Sequence, residues 1–272
     1  MSSNKEVVLI TGGNTGLGVE AVKALCKSKT AYEIVIGSRD AKKGEDAISQ
    51  VRAEVLDSPS SLSVIQVDIS SDDSITKARD EIQSRFGRLD VLLNNAGAGF
   101  DSQIAEKKMT TREAWNASWD TNVAGTQVIT EEFIPLLLKA SKPRILFVTS
   151  GTSTLTETEQ THTANLKRIN TSPPAGWPKE NTFTVTSYRS AKTGLNMAMR
   201  EWHRILGNDG VKVFSISPGF LATGLGGVGV EKLKKMGAGD PSLGGEFMKD
   251  VIEGKRDQDA GKVIRSDEIQ PW

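Results

Sequence analysis

The first 26 residues constrain this chain more than any other stretch. Val7-Val8-Leu9-Ile10 is an unbroken apolar run that leads straight into Thr11-Gly12-Gly13-Asn14-Thr15-Gly16-Leu17-Gly18, and residues 19–26 then place apolar side chains at helical spacing. A short apolar run with no polar alternation suits a strand buried on both faces, as in a parallel sheet. Strand, glycine turn and helix in that order form the setting in which backbone can approach a pyrophosphate and a helix N-terminus can attract its charge. A tight turn with no ligand satisfies the same pattern, so the rest of the chain must decide.

Further strands follow at intervals that leave room for helices. Glu33-Ile34-Val35-Ile36-Gly37 reads as the second, residues 62–67 as the third, 89–93 as the fourth, 145–149 as the fifth and 211–216 as the sixth, with a last short one at 261–265. Residues 41–55 are amphipathic and helical, and a helix starts near 71–74. Residues 110–126 carry a helix-start signature followed by Asn122-Val123-Ala124-Gly125. Strand four runs into Asn94-Asn95-Ala96-Gly97, where small residues let backbone pass close to a ligand and Asn side chains can tie strand ends together. Strand five ends on Ser150, with Ser153 three residues on. Tyr188 and Lys192 stand four apart, so on a helix they share a face. A cation beside a phenol favours the phenolate and lowers the Tyr pKa. A Tyr so tuned can pass a proton to a developing alkoxide. Solvated Tyr–Lys pairs with this spacing are common, and the weight of this one comes from what precedes it.

The spacing of the glycine turn, with Asn-Asn-Ala-Gly, the serine after strand five and Tyr-x-x-x-Lys in that order, resembles the short-chain dehydrogenase/reductase family in its classical branch. The resemblance implies a doubly wound parallel sheet of about seven strands, order 3-2-1-4-5-6-7, with helices on both faces. It implies hydride transfer between a nicotinamide cofactor and a carbonyl or alcohol carbon. Tyr188 is then the acid/base. Lys192 lowers its pKa and holds the nicotinamide ribose. Ser150 bonds the substrate oxygen, with Ser153 as the alternative. Asn122 distorts its helix and anchors a relay water, or else is an Asn on a helix face. The cofactor set is Gly12, Asn14, Thr15, Gly16, Leu17, Gly18, Ser38, Arg39, Asp68, Ile69, Asn95, Ala96, Gly97, Tyr188, Lys192, Pro218, Gly219, Leu221 and Thr223. Asp68 meets the adenine edge, caps the next helix, or does both. An acidic residue at the end of strand two would select NAD. Gly37-Ser38-Arg39 stands there instead, and a guanidinium fork suits a 2′-phosphate, which points to NADP(H). A solvated loop arginine is the alternative, and Thr15 holds the place of a second basic marker.

Ser150 and Tyr188 lie further apart than in the shortest members of the family, so residues 152–186 are an insertion, with 166–169 as one helical turn. The stretch is rich in Thr, Ser, Asn and Pro, hence a loop. A long ordered loop beside two catalytic residues is expected to wall the substrate pocket, and the glycine-rich 220–245 to act as a lid. Leu155, Trp177 and Phe183 on one side and Phe220, Leu221, Leu225 and Leu233 on the other favour an apolar, ring-containing ketone. Covering a surface or an oligomer interface is the other role open to the insertion. The insertion, the lid and the ending resemble reductases of fungal secondary metabolism.

Composition closes off other classes. The 272 residues hold 34 basic and 34 acidic side chains, which argues against a nucleic-acid or membrane surface. One cysteine, Cys26, allows no internal disulfide, and with only His162 and His203 a metal site is not expected. No secretory signal or spanning run is visible, so a single cytoplasmic domain over 1–272 is expected, with a homo-oligomer left open. A cofactor-sensing regulator and a non-redox cyclase or isomerase are the rival functions. The retained Tyr188 and Lys192 weigh against both.

Overall fold

The computed structural model describes residues 5–179 and 185–272. Seven parallel strands form one sheet in the order β3-β2-β1-β4-β5-β6-β7, with β1 at Glu6–Thr11, β2 at Tyr32–Ser38, β3 at Ser61–Gln66, β4 at Val91–Asn94, β5 at Arg144–Val148, β6 at Lys212–Ile216 and β7 at Val263–Ile264. The expected order is the observed one. Strand alternation splits the core into two layers. Val7 and Leu9 of β1 join the side chains of α3 (Asp72–Phe86), α6 (Gly125–Leu137) and α8 (Thr186–Ile205) on one face. Val8 and Ile10 face α1 (Gly16–Cys26), α2 (Ala41–Glu54) and α10 (Pro241–Ile252) on the other. Both faces being covered explains why the strands read as continuous apolar runs.

Element ends depart from the sequence expectation where long-range bonds intervene. β4 starts at Val91, because the Leu89 N–H is taken by the Leu136 carbonyl at 3.1 Å. β7 keeps only two of its five expected residues. After Ile264 the chain turns back, with Arg265 N–H on Glu268 O and Gln270 N–H on Val263 O. The crossover from β4 to β5 holds α4 (Asp101–Ala105), α5 (Thr111–Trp119) and, between α5 and α6, a π-turn at Asp120–Ala124. In the insertion, α7 spans Ala164–Asn170, longer than the single turn expected, because Thr163 caps it by accepting from Leu166 N–H at 3.1 Å. α9 (Val230–Lys235) lies in the expected lid. Residues 241–245 do not belong to that lid. They open α10, and at Gly245 a methyl group would sit 2.4 Å from the Glu20 carbonyl oxygen, so this stretch is packed on α1.

Candidate active site

The strand ends converge at the C-terminal edge of the sheet, where ligands bind in folds of this kind. Thr11 closes β1, and its Oγ1 accepts from Asn95 N–H at 3.0 Å and Ala96 N–H at 2.9 Å. Asn95 Nδ2 donates to the Thr11 and Gly12 carbonyls, so the β4 loop is stitched to the glycine turn. Gly12 and Gly16 have φ of +62° and +53°, which glycine alone adopts without strain. A methyl group on Gly18 would fall 2.3 Å from the Gly12 carbonyl oxygen. Thr15, at the N-cap of α1, makes no side-chain cap bond. The first N–H groups of α1 are then free of side-chain caps beside a glycine-rich turn, which fits an anionic pyrophosphate. Asn14 and Leu17 belong to the same turn. At the end of β2, Ser38 is buried and donates to the Asp40 carbonyl at 2.7 Å. Arg39 is exposed, with no side-chain partner among the described residues. Asp68 does not cap α3; Ser71 does, accepting from Ser74 N–H, while Asp68 accepts from Ser70 N–H at 3.0 Å. The Ile69 carbonyl passes the start of α6 so closely that a methyl group on Gly125 would lie 2.0 Å away. Across the cleft, Pro218, Gly219, Leu221 and Thr223 follow β6. Leu221 pairs with Gly239, and Thr223 stands opposite Gly16.

Four polar side chains meet beside this cradle. The Ser150 hydroxyl lies close to the Tyr188 phenol, while its own bonds go to Thr152, with Oγ1 at 2.9 Å and N–H at 3.1 Å. Burial pushes the phenol up to about 12, against the lowering effect of Ser150. This corrects the expected fall toward neutral pH. The physical reason is that Lys192 Nζ lies 5.7 Å from the ring centroid and donates to the Val148 carbonyl at 2.8 Å. The lysine itself is buried, and desolvation lowers it to about 8. Asn122 is fully buried in the π-turn, where Gly125 N–H reaches five residues back to Asp120 O. Its Nδ2 donates to the Ala98 and Ser118 carbonyls, each at 2.8 Å, and its Oδ1 accepts from Ala98 N–H. Gly97 runs beneath both groups: a methyl there would lie 2.8 Å from Asn122 Oδ1 and 3.1 Å from Lys192 Nζ. Ser153 is spent elsewhere. Its hydroxyl donates to the Ser150 carbonyl at 2.6 Å and accepts from Asn196 Nδ2 and Gln270 Nε2. Among the described residues no group of three His, Cys, Asp or Glu could hold a metal ion, and no helix is long and apolar enough to cross a membrane.

The insertion meets the site through side chains that local patterns do not reveal. Arg189, next to Tyr188, donates to the Thr152 and Ile169 carbonyls and to Asn170 Oδ1. Arg265 grips Glu157 through two bonds, and Gln270 Nε2 reaches the Ser150 carbonyl at 3.2 Å. Asp101 accepts from the first turn of α8. The one sequence sign of that bond is the absence of a polar cap at Val185. The apolar wall expected from the insertion is not where the sequence suggested. Trp177 is 88% exposed, and Leu155 lines an outer groove with Met197, Arg200 and Trp272. Phe183 lies outside the described residues. The contact that spans the cleft is Arg168 of α7, stacked over Phe220 at 4.8 Å.

Fold and site together define a dinucleotide-binding α/β protein with a Ser–Tyr–Lys cluster. A family profile described as "short chain dehydrogenase" matches residues 6–163. The protein "Short-chain dehydrogenase/reductase eupG" of Phoma sp is 47% identical over 98% of both chains. "Short-chain dehydrogenase/reductase tropE" of Talaromyces stipitatus is 42% identical over 99% of both. Among solved structures, NADPH-bound carbonyl reductase from chicken fatty liver superposes with a TM-score of 0.76 at 20% identity, over 99% of this chain and 100% of that one. A 3-oxoacyl-[acyl-carrier protein] reductase from Brucella melitensis in complex with NAD gives 0.73 at 20%, over 98% and 97%. The chain belongs to the short-chain dehydrogenase/reductase family.

Proposed function

We propose that this chain acts as one domain over 1–272 and is an NADPH-dependent reductase. It moves a hydride between NADP(H) and the ketone or alcohol carbon of an apolar, ring-containing small molecule. The observation that carries the reading is the meeting of half-buried Tyr188 and Ser150 with buried Lys192 and Asn122 beside a glycine cradle. NADPH, when bound, supplies the hydride. Tyr188 gives its phenol proton to the carbonyl oxygen as charge develops there. A phenol held at about 12 stays protonated at neutral pH, the form that reduction needs. Ser150 donates to the same oxygen and so stabilises that charge. Lys192 stands between Val148 and Gly97, placed to meet the ribose and to favour the phenolate once the proton has left. The π-turn at Asn122 takes backbone groups out of ordinary helical pairing, which supports a bound relay water there.

Arg39, exposed at the end of β2, supports NADPH over NADH, as do NADPH-bound neighbours of this fold; an NAD-bound and an NADH-bound neighbour weigh on the other side. The insertion and the 220–239 lid face each other through Arg168 and Phe220, which supports a substrate cleft between them. Phe220 and Leu221 are the apolar surface that a ring would meet. The test is to follow oxidation of NADPH and NADH with a panel of cyclic, bulky ketones and small charged ones. Rapid NADPH-linked reduction of the bulky ketones is the expected result. Equal rates with NADH, or turnover of small charged ketones alone, would remove the corresponding part of the reading.

A further inference from the structure

The helix that carries Tyr188 is capped from another part of the chain. α8 begins after Val185, whose side chain makes no cap bond. A helix start leaves four backbone N–H groups without helical partners. Ser187 N–H donates to Asp101 Oδ1 at 2.9 Å, and Tyr188 N–H to Asp101 Oδ2 at 3.1 Å. The Ser187 hydroxyl donates to Oδ2 at 2.9 Å. Asp101 is only 6% exposed, and these bonds all come from α8. A carboxylate this buried is costly unless it is fully satisfied. Backbone N–H groups at a helix N-terminus satisfy it with charge-assisted bonds and the favourable end of the helix dipole.

The same network reaches the other helix of the site. A serine hydroxyl has one proton, and Ser187 gives its proton to Asp101. Ser118 therefore donates to Ser187 Oγ, at 2.9 Å. The Ser118 carbonyl in turn accepts from Asn122 Nδ2. Asn122 is bonded both ways to Ala98, three residues before Asp101. Ser118, Asn122 and Ser187 are all fully buried. Two helices thus dock on the single segment 97–101, which continues directly from the cofactor loop at Asn95 and Ala96.

We infer that Asp101 is a positioning residue for the reaction. By holding the Ser187 and Tyr188 backbone to the segment that also holds Asn122, it sets where the phenol oxygen stands relative to the reacting carbon. Asp101 touches no reacting atom. The inference rests on the reading of Tyr188 as the proton donor. Displacing a catalytic group by about 1 Å can cost about a hundredfold in rate, so the effect belongs in kcat.

The experiment compares full-length Asp101→Ala, Asp101→Asn, Ser187→Ala and Tyr188→Phe. Asp101→Ala is expected to lower kcat by about ten- to a hundredfold, with KM and the NADPH dissociation constant within about twofold of wild type. Asp101→Asn keeps one acceptor and is expected to recover part of the loss. Ser187→Ala keeps both backbone bonds and is expected to be the mildest of the three. If Asp101→Ala does not fold, Asp101→Asn against Ser187→Ala carries the same test through the ratio of their kcat values. A folded Asp101→Ala or Asp101→Asn with wild-type kcat overturns the inference, as does a loss confined to KM or cofactor affinity. With Tyr188→Phe inactive in the same series, such a result sinks Asp101 alone. Wild-type turnover in Tyr188→Phe sinks the reading of the site and this inference with it.

Discussion

The two sides of the cleft are built from different materials. On the cofactor side the close approaches are backbone on backbone: Gly18 against Gly12, Gly125 against Ile69, Gly245 against Glu20. On the substrate side the ties are long polar side chains. Arg189 reaches acceptors up to 37 positions away, Arg265 reaches Glu157 across 108, and Gln270 reaches Ser150 across 120. A backbone contact tolerates almost no change, because any side chain would occupy the space the partner needs. A side-chain tie can be exchanged for another without moving the main chain. The substrate wall can therefore be remodelled while the cofactor cradle stays intact.

The division breaks most severely where both sides meet. Tyr188→Phe is expected to lower kcat by about 10²- to 10⁴-fold and to leave NADPH affinity unchanged, read by single-turnover kinetics and a binding titration. Substantial turnover in that variant removes the phenol from the chemistry.

Lys192 tests whether the catalytic cluster is as dry as its neighbours. Its pKa falls from the ordinary 10.5 to about 8 on folding. Below pH 8 the folded protein carries the buried charge at a cost. As pH rises from 8 to 10.5, only the unfolded chain still holds the proton, so stability should rise, by up to about 3 kcal/mol. Tyr188 has the opposite sign: its raised pKa of about 12 removes stability only at pH values above its ordinary 10. Chemical denaturation of the ligand-free protein between pH 7 and 10 should therefore show a rise that Lys192→Met abolishes. A flat wild-type profile means that water reaches the ammonium.

Arg39 sharpens the comparison, being a side-chain reader on the backbone-built side. Arg39→Ala should cost about ten- to a hundredfold in NADPH affinity and leave NADH affinity unaltered. An undiminished preference would place the reading of the 2′-phosphate elsewhere. The smallest effect is expected at the insertion tie. Arg265→Ala should raise KM for a bulky ketone by about two- to fivefold, as suits a partly exposed ion pair, with cofactor affinity unchanged. An equal shift in cofactor affinity would show that the two sides are not separable.

The same contrast decides what could be read before the structure. The strands, the glycine turn and Asn94-Asn95-Ala96-Gly97 are short runs of neighbours in sequence that local spacing reveals; the strand order comes with the family resemblance those motifs carry, and the Asn95 bonds to Thr11 and Gly12 cross 84 and 83 positions. Leu155 and Trp177 mislead because hydrophobicity says nothing about direction; Trp177 stands in solvent, and the stretch around Leu155 is tied by Arg189 at Thr152, by Arg265 at Glu157 and by Gln270 at Ser150. The Tyr188 pKa was misjudged for a related reason. Helical spacing places Lys192 near the phenol, but the ammonium turns to the Val148 carbonyl at the end of β5. Asp101 and Ser187 are 86 positions apart and share no pattern.

The π-turn also sets the phase of the helices on either side of it. The residues Ala114, Ser118, Asn122, Thr126 and Thr130 are all buried and each is four positions from the last. A regular helix advances about 100° per residue, so a strict step of four winds a stripe steadily round the axis and into solvent. One wide turn absorbs a residue and brings the stripe back toward the sheet, in time for Phe133 and Leu137. Forcing the stretch 120–124 into a regular helix with every residue retained would rotate everything after it by about 100°. The displaced Asn122 would then be the lesser damage, since the whole buried face of α6 would turn away from β4 with it.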